Sequence, residues 1–244
     1  MSRTPDSRYI VIGAADEETF VQNAATTLAT LIKAAVKERG IARVALSGGS
    51  TPRPVHQRLA QMELPLDRID WFWVDERAVD PASPRSNYGM AYADLGLDRA
   101  PAGRIHRMEA EDPDLAAAAA RYEALLRRTF GVTRAVAFDV MTLGIGDDGH
   151  TASLFPGMGA TAIDDRLVAA IPAQPAKGLE ARLTLTAPVL CEAEWAIFVA
   201  RDEQKRQPIE AAWSDGSEEE VPARVLLRAR GQVLWFLEGM SEIP

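Results

Sequence analysis

A histidine that follows two consecutive aspartates is the segment of this sequence best suited to chemistry. His150 lies just after Asp147 and Asp148, in a turn rich in glycine. A histidine side chain can accept or donate a proton near neutral pH. The apolar run 138–143 before the turn is typical of a buried strand in a parallel sheet, and ligands bind at the carboxyl ends of such strands. We therefore expect acid–base chemistry at this strand end.

The glycines of this turn also match the dinucleotide-binding pattern GxGxxG, at residues 144–149. That pattern requires a long helix directly after it, with the helix N-terminus on the pyrophosphate. Here Pro156 and Gly157 follow closely, so any helix must be short. Asp147 and Asp148 would also lie where the diphosphate must bind. We therefore predict no nicotinamide cofactor.

A second polar segment, SGGSTP at residues 47–52, follows the predicted strand 43–46. Pro52 suits the first turn of a helix, where free N–H groups and the positive end of the helix dipole form an anion site. The segment is not a Walker loop, because the GK[ST] ending is absent. Taken alone, a Gly-Gly turn is more often only a turn. The candidate anion ligands here are Gly48, Gly49, Ser50 and Thr51.

Charged and polar side chains follow a third predicted strand, the aromatic run 69–74. Asp75 and Arg77 come directly after it, and Asn87 lies where the next helix is predicted to begin. Because the carboxyl ends of parallel strands meet at one edge of a sheet, we expect these residues to share a site with His150.

Two further candidate cations come from the C-terminal half of the chain. Arg182 begins the alternating run RLTLT, which predicts a strand, and Lys205 lies in a predicted helix over 202–213. A planar guanidinium can bind two phosphate oxygens at once. Arg182 and Lys205 are therefore candidates for binding an anionic group.

Other kinds of active site lack their motifs. A serine nucleophile of the hydrolase type requires GxSxG, and neither Ser50 nor Ser153 lies in that pattern. The three histidines show no metal-ligand spacing, so we predict no metal. The single cysteine, Cys191, lies in an apolar segment and is predicted to belong to the core. Histidine acid–base chemistry on a phosphorylated small molecule remains.

Strands and helices must alternate along the chain to position these residues. Short β-branched runs predict the strands, and apolar residues three or four apart predict the helices. This alternation predicts an α/β fold with a doubly wound, mostly parallel central sheet and helices on both faces, as in Rossmann-like proteins. We expect a single domain over residues 1–244, and a further strand at 104–108.

Composition excludes several classes of protein. The net charge of −8 argues against a nucleic-acid-binding protein, and no apolar run is long enough to cross a membrane. One cysteine allows no internal disulfide, and the first residues lack the apolar segment of a signal peptide. We therefore expect a cytoplasmic protein, either a monomer or a weak homodimer, whose partner is a small molecule.

Several motifs together resemble the 6-phosphogluconolactonase family. They are SGGSTP at 47–52, WFWVDER at 71–77, SNY at 86–88, GIGDDGHTASLFP at 144–156 and RLTLT at 182–186. They follow the family's order over roughly residues 10–238. The DGHTASLFP run is highly specific, whereas the Gly-Gly turn alone is not. The wider superfamily includes glucosamine-6-phosphate deaminase, so the resemblance implies that type of Rossmann-like fold.

Two positions separate the lactonase branch from the deaminase branch. The deaminases carry a glutamate that serves the histidine in ring opening, and this chain has Phe155 at that position. The deaminases also have tyrosine where this chain has Arg77. Both departures favour the lactonase branch. One departure from the lactonases is Arg201, where they often carry glycine before the segment of Lys205.

The resemblance implies hydrolysis of 6-phospho-D-glucono-1,5-lactone to 6-phosphogluconate, without a cofactor. His150 would activate water for attack on C1 and then protonate the ring oxygen. Asp148 would either set the tautomer of His150 or bind a sugar hydroxyl. The oxyanion would be stabilised by N–H groups near Gly48 and Gly49 or by Arg77.

The remaining candidates would bind the rest of the substrate. We expect Ser50 and Thr51, together with Arg182 and Lys205, to bind the phosphate, and Asp75 and Asn87 to contribute to substrate binding. Two alternatives stay open: an isomerase or deaminase of an amino sugar phosphate, and a non-catalytic sugar-phosphate-binding regulator.

Overall fold

The computed structural model describes residues 8–132 and 135–240. Most of the N-terminal stretch on which we base the expected lack of a signal peptide lies outside these ranges. The strands found within them are β1 Tyr9–Ala14, β2 Ala42–Leu46, β3 Ile69–Trp73, β4 Asp75–Arg77, β5 Val140–Leu143, β6 Val168–Ile171, β7 Arg182–Leu185, β8 Trp195–Arg201 and β9 Gln232–Glu238. The α-helices are α1 Glu17–Arg39, α2 Pro52–Ala60, α3 Asn87–Leu95, α4 Leu115–Phe130, α5 Ala187–Cys191 and α6 Arg206–Trp213.

Six strands form a parallel sheet in the order β1-β9-β8-β5-β2-β3. Each pairing in this sheet is parallel. The predicted doubly wound parallel sheet is therefore confirmed. Because β2, β5 and β8 are neighbours, the loops after these three strands lie side by side at one edge of the sheet.

Helices cover both faces of this sheet, as predicted. On one face α1, α2 and α3 pack around buried residues such as Phe20, Leu28 and Leu59. On the other face α4, α5 and α6 pack around residues such as Leu126 and Ile209. The strands between the two layers bury side chains on both faces, which accounts for their nearly continuous apolar sequences.

A second, antiparallel sheet in the order β4-β7-β6 was not predicted. The chain leaves the central sheet at Val74, whose N–H bonds to Leu46 (2.9 Å) and whose carbonyl accepts from Leu185 (2.8 Å). The following three residues then pair with β7, so that Arg77 lies opposite Arg182. This small sheet brings both arginines to the edge where the central strands end.

Helix ends follow the local sequence closely. The Asp16 side chain accepts a hydrogen bond from the N–H of Thr19 (2.8 Å) and caps α1, as its sequence position suggests. The helix ends at Gly40, whose φ of 78° is left-handed and favours glycine.

One predicted element is wrong, and another begins later than predicted. Residues 104–108 form no strand: a 3₁₀ turn at Ala102–Arg104 leads to a single bridge between Ile105 and Trp71. The segment is instead fixed by His106, whose ring stacks on Phe72 with centroids 4.6 Å apart. The helix predicted from residue 202 begins only at Arg206, after a 3₁₀ turn.

Candidate active site

A cavity of about 330 Å³ lies at the carboxyl ends of β2, β5 and β8, beside the small sheet. Every site residue predicted from the sequence lines it except Asp148. The predicted residues that line it are Gly48, Gly49, Ser50, Thr51, Asp75, Arg77, Asn87, His150, Arg182 and Lys205. The expectation that several strand ends share one site therefore agrees with the geometry.

His150 is presented to this cavity by a tight glycine-rich turn. The N–H of Gly149 bonds to the Gly146 carbonyl (3.0 Å), and the N–H of Gly146 bonds to the His150 carbonyl (2.8 Å). Gly149 has a φ of +80°, and a Cβ on Gly146 would overlap the Nδ1 atom of His150. Gly149 is therefore required by the left-handed backbone of the turn, and Gly146 by the position of the imidazole.

The carboxylate of Asp148 contacts the imidazole directly, with 2.6 Å between Oδ1 and Nδ1. Burial raises the pKa of Asp148, but hydrogen bonds and charge from His150 outweigh that effect and lower the pKa to about 2. An ionised acceptor at Nδ1 favours a proton there, which leaves Nε2 as the basic nitrogen. Asp148 thus lies on the Nδ1 side of the imidazole.

Phe155 packs between the histidine and one of the arginines. Its ring centroid lies 4.7 Å from that of His150 and 5.4 Å from the guanidinium carbon of Arg182. Phe155 itself is buried. No carboxylate therefore reaches the imidazole from this position.

The segment before α2 presents unpaired donors to the cavity. The N–H groups of Gly48, Gly49, Ser50 and Thr51 bond to no acceptor in the described part of the chain. Thr51, the N-cap residue of α2, makes no side-chain capping bond. A helix N-terminus with free N–H groups is an anion site.

Gly48 allows a close approach between two cavity walls. A Cβ at this position would overlap the side chain of Asn87. The Oδ1 atom of Asn87 is buried and has no hydrogen-bond partner among the described residues. The close approach therefore leaves a buried acceptor without a partner in the cavity wall.

Each arginine of the small sheet has a hydrogen-bond donor without a partner. The Nε atoms of Arg77 and Arg182 are buried and unpartnered within residues 8–132 and 135–240. Nη1 of Arg77 donates to the Arg85 carbonyl (2.9 Å), and Nη1 of Arg182 lies 3.5 Å from Oδ2 of Asp75. Two partly anchored guanidiniums with free donors suit a bound anion.

Asp75 connects three walls of the cavity. Its Oδ1 accepts from Asn87 Nδ2 (3.1 Å), and its Oδ2 accepts from Ser153 Oγ (2.7 Å) and faces Arg182. The carboxylate is buried. Although Asp75 lines the cavity, its oxygens are thus engaged with protein groups, and it orients the residues around it.

Sequence reasoning missed two structural residues of the site. Ser153 is fully buried and joins the histidine loop to the small sheet through Asp75. Glu76 is also buried and accepts from the N–H groups of Asn87 and Tyr88, so it anchors the start of α3. Burial raises the pKa of Glu76 despite these bonds. A polar residue inside an otherwise buried motif was the available signal for Ser153.

Lys205 and its turn form the remaining wall. The Lys205 ammonium lies 2.6 Å from Oδ1 of Asp147. Arg201 is held by Glu17 (2.8 Å) and Glu238 (3.1 Å). The left-handed backbone in this segment falls on Asp202, with a φ of 73°. The glycine-like conformation thus lies one residue after Arg201.

Two features are absent from the residues that the structure describes. They contain no group of three or more histidine, cysteine, aspartate or glutamate side chains arranged to hold a metal ion. None of their helices combines the length and apolar character needed to cross a bilayer.

Comparison with known proteins gives one consistent family. Residues 15–235 match the family model described as glucosamine-6-phosphate isomerases/6-phosphogluconolactonase. The chain is 35% identical over 230 residues to the 6-phosphogluconolactonase of a Nostoc species, covering 93% of this chain and 94% of that one. A Synechocystis 6-phosphogluconolactonase gives the same identity and coverage.

Solved structures give the same result. The 6-phosphogluconolactonase of Trypanosoma cruzi superposes with a TM-score of 0.85 at 27% identity, covering 98% of this chain and 96% of that chain. The enzyme from Thermotoga maritima gives a TM-score of 0.80 at 28% identity, with coverage of 94% and 99%.

Proposed function

The chain belongs to the family of glucosamine-6-phosphate isomerases and 6-phosphogluconolactonases, and we propose that it hydrolyses 6-phospho-D-glucono-1,5-lactone to 6-phospho-D-gluconate. This is a step of the oxidative branch of the pentose phosphate pathway. The main support for this proposal is His150, which contacts Asp148 and lines a cavity whose walls contain hydrogen-bond donors without a partner.

His150 is the general base of this reaction. Its Nε2 removes a proton from a water molecule as the water oxygen attacks C1 of the lactone. The tetrahedral intermediate then collapses, the bond from C1 to the ring oxygen breaks, and the same nitrogen returns the proton to that oxygen. General acid–base catalysis of this kind contributes about 10²- to 10⁴-fold to the rate. No covalent enzyme intermediate is required, because a lactone carbonyl is already reactive.

Asp148 holds the proton on Nδ1 and stabilises the imidazolium that forms during the attack. The 2.6 Å contact and the low pKa of Asp148 support this role over binding of a sugar hydroxyl. The oxyanion on C1 is stabilised by the N–H groups of Gly48 and Gly49 or by the Arg77 guanidinium, both of which have free donors at the cavity.

The phosphate of the substrate binds at the N-terminus of α2 and between the cations of the C-terminal half. Ser50 and Thr51 provide free N–H groups there. Arg182 offers an unpartnered Nε, and Lys205 lines the same cavity. These contacts are the same in ground and transition states and therefore contribute to binding.

The deaminase alternative is disfavoured by Phe155. An apolar ring lies against His150 where a carboxylate would have to serve ring opening. A regulator that only binds sugar phosphates would not require a basic nitrogen oriented by an aspartate. Neither alternative accounts for the His150–Asp148 pair as directly as hydrolysis does.

An assay of the unmodified protein on two substrates tests the proposal. Freshly prepared 6-phosphogluconolactone should be hydrolysed well above its spontaneous rate, and glucosamine 6-phosphate should release no ammonia. Release of ammonia would establish the deaminase. Absence of both activities, with retained binding of 6-phosphogluconate, would establish the regulator.

We also propose a cellular location and an oligomeric state for the protein. One cysteine, buried and free, suits the reducing cytoplasm. We expect a protein active as a monomer or a weak homodimer.

A further inference from the structure

Two consecutive carboxylates of the glycine turn serve two different groups of the cavity. Asp148 contacts His150, whereas Asp147 extends to the other side and lies 2.6 Å from the Lys205 ammonium. Asp147 makes no other hydrogen bond or ion pair with the residues that the structure describes. Its side chain is 82% exposed, while that of Lys205 is 25% exposed. This contact has no role in the mechanism given above.

The backbone that carries Lys205 is held in an unusual conformation. Asp202 has φ 73° and ψ 141°, which a residue other than glycine rarely adopts. Its N–H donates to the Glu238 carbonyl (3.1 Å), and its carbonyl accepts from the N–H of Lys205 (3.0 Å). Such a conformation persists only where the surrounding structure enforces it, and it occurs preferentially at functional sites. The lysine backbone is thus fixed independently of the Asp147 contact.

We propose that Asp147 is a positioning residue, which holds the Lys205 ammonium at the cavity for the phosphate of the substrate. The proposal rests on the function proposed above. A lysine side chain has a flexible four-carbon stem and loses much conformational freedom when it binds an anion. An ammonium that already contacts Asp147 through one N–H has part of that freedom removed, and its other two N–H groups remain for phosphate oxygens.

The exposure of Asp147 decides the sign of its effect on binding. A carboxylate that is mostly in water repels a phosphate bound beyond the ammonium only weakly, because the high dielectric constant of water reduces the interaction between the two charges. The contact with the ammonium is a hydrogen bond of 2.6 Å, which restricts the lysine side chain directly. Positioning of Lys205 therefore outweighs repulsion of the phosphate, and removal of the Asp147 charge weakens binding.

Asp147 and Asp148 should consequently affect different kinetic constants. Loss of the Asp147 charge should change KM, because it affects phosphate binding in ground and transition states alike. Loss of the Asp148 charge should change kcat, because it affects the base. Two adjacent residues of one turn then set the position of the Lys205 ammonium and the tautomer of His150.

The test is the Asp147→Asn variant, compared with Asp165→Asn as a matched control. Asp165 is also exposed and ion-paired, with Arg166 (2.7 Å), and it does not line the cavity. We expect D147N to raise KM about two- to five-fold with kcat unchanged, since exposed ion pairs contribute modestly. The control should leave both constants unchanged. An unchanged or lowered KM in D147N would overturn the proposal.

A double-mutant cycle with Lys205→Met identifies the route of the effect. In the K205M background, D147N should change KM no further, because the group that it positions is absent. An equal rise of KM in both backgrounds would show that Asp147 acts through something other than Lys205, and the proposal would be wrong. Lactonase activity of the wild-type protein is measured in the same series. Failure of the positioning role is thereby distinguished from failure of the proposed function.

Discussion

The imidazole of His150 contacts the carboxylate of Asp148 and the apolar ring of Phe155. Asp148 contacts Nδ1, and Phe155 covers the ring from another side. This arrangement leaves Nε2 as the nitrogen available to a substrate. The chemistry that we propose for the site therefore depends on two contacts made by residues within five positions of the histidine.

Replacement of Asp148 by asparagine should lower kcat strongly and leave substrate binding largely unchanged. The amide no longer favours the Nδ1 proton, and it does not stabilise the imidazolium. We expect kcat to fall about 10²-fold or more with KM little changed. Initial rates on fresh lactone, with the spontaneous rate subtracted, provide the measurement. A kcat close to that of the wild type would instead favour binding of a sugar hydroxyl by Asp148.

Replacement of Arg182 by alanine should mainly raise KM. Arg182 is buried beside Asp75 and has an unpartnered Nε at the cavity. A phosphate contact of this type is made in both ground and transition states, so we expect KM to rise about tenfold or more and kcat to change little. An unchanged KM with a collapsed kcat would place Arg182 at the carbonyl instead.

At the scale of single residues, the sequence was most informative where function depends on a local motif. His150, Arg182 and the 48–51 segment lie at the cavity as predicted. The links through Asp75 to Ser153 were not foreseen, because the two residues are 78 positions apart and pair only after the sheets form. Hydrogen bonds between residues far apart in the chain cannot be predicted from the pattern of a single sequence.

At the scale of elements, the turn after β5 depends on the lack of a side chain at Gly146. A Cβ there would overlap the imidazole of His150. We expect Gly146→Ala to displace the ring and lower kcat by at least tenfold, with the fold preserved by circular dichroism. Gly103→Ala is the control, because a Cβ at Gly103 meets nothing within 4 Å. Full activity in G146A would show that the turn tolerates the shift.

The central sheet was predictable, whereas the small sheet was not. Alternating strands and helices indicate parallel pairing because their connections are helical. Residues 75–77 carry charged side chains and form only three residues of strand, which pair with residues more than 100 positions away. Periodicity does not detect so short a strand. The strand predicted at 104–108 is wrong for the opposite reason, since Met108 is buried and Ile105 is partly buried although the segment forms no ladder.

At the scale of the whole molecule, the two sheets share one core. Leu183 of the small sheet and Phe198 of the central sheet belong to the same buried cluster as Leu126 of α4. This packing supports the expectation of one domain over residues 1–244, which stays a prediction.

His56 should make the stability of the whole fold sensitive to mild acid. It is fully buried in α2, and desolvation lowers its pKa from 6.5 to about 4, although the charge of Asp94 opposes this shift. The unfolded chain therefore binds a proton below about pH 6.5, whereas the folded protein binds one only near pH 4. The free energy of unfolding should decrease by about 2 to 3 kcal/mol between pH 7 and pH 4.5 from this group.

Urea unfolding of the wild type and of His56→Leu at both pH values measures this effect. The variant lacks the titrating group and should lose correspondingly less stability over the same interval. Parallel pH dependence in the two proteins would show that His56 does not control it.

The most direct test of the whole account is the rate at which a His150→Ala protein hydrolyses fresh 6-phosphogluconolactone. Binding of 6-phosphogluconate to the same variant shows that the site is intact. We expect binding to be retained and the enzymatic rate, after subtraction of spontaneous hydrolysis, to fall about 10²- to 10⁴-fold. Hydrolysis at the wild-type rate would contradict the assignment of His150 as the base.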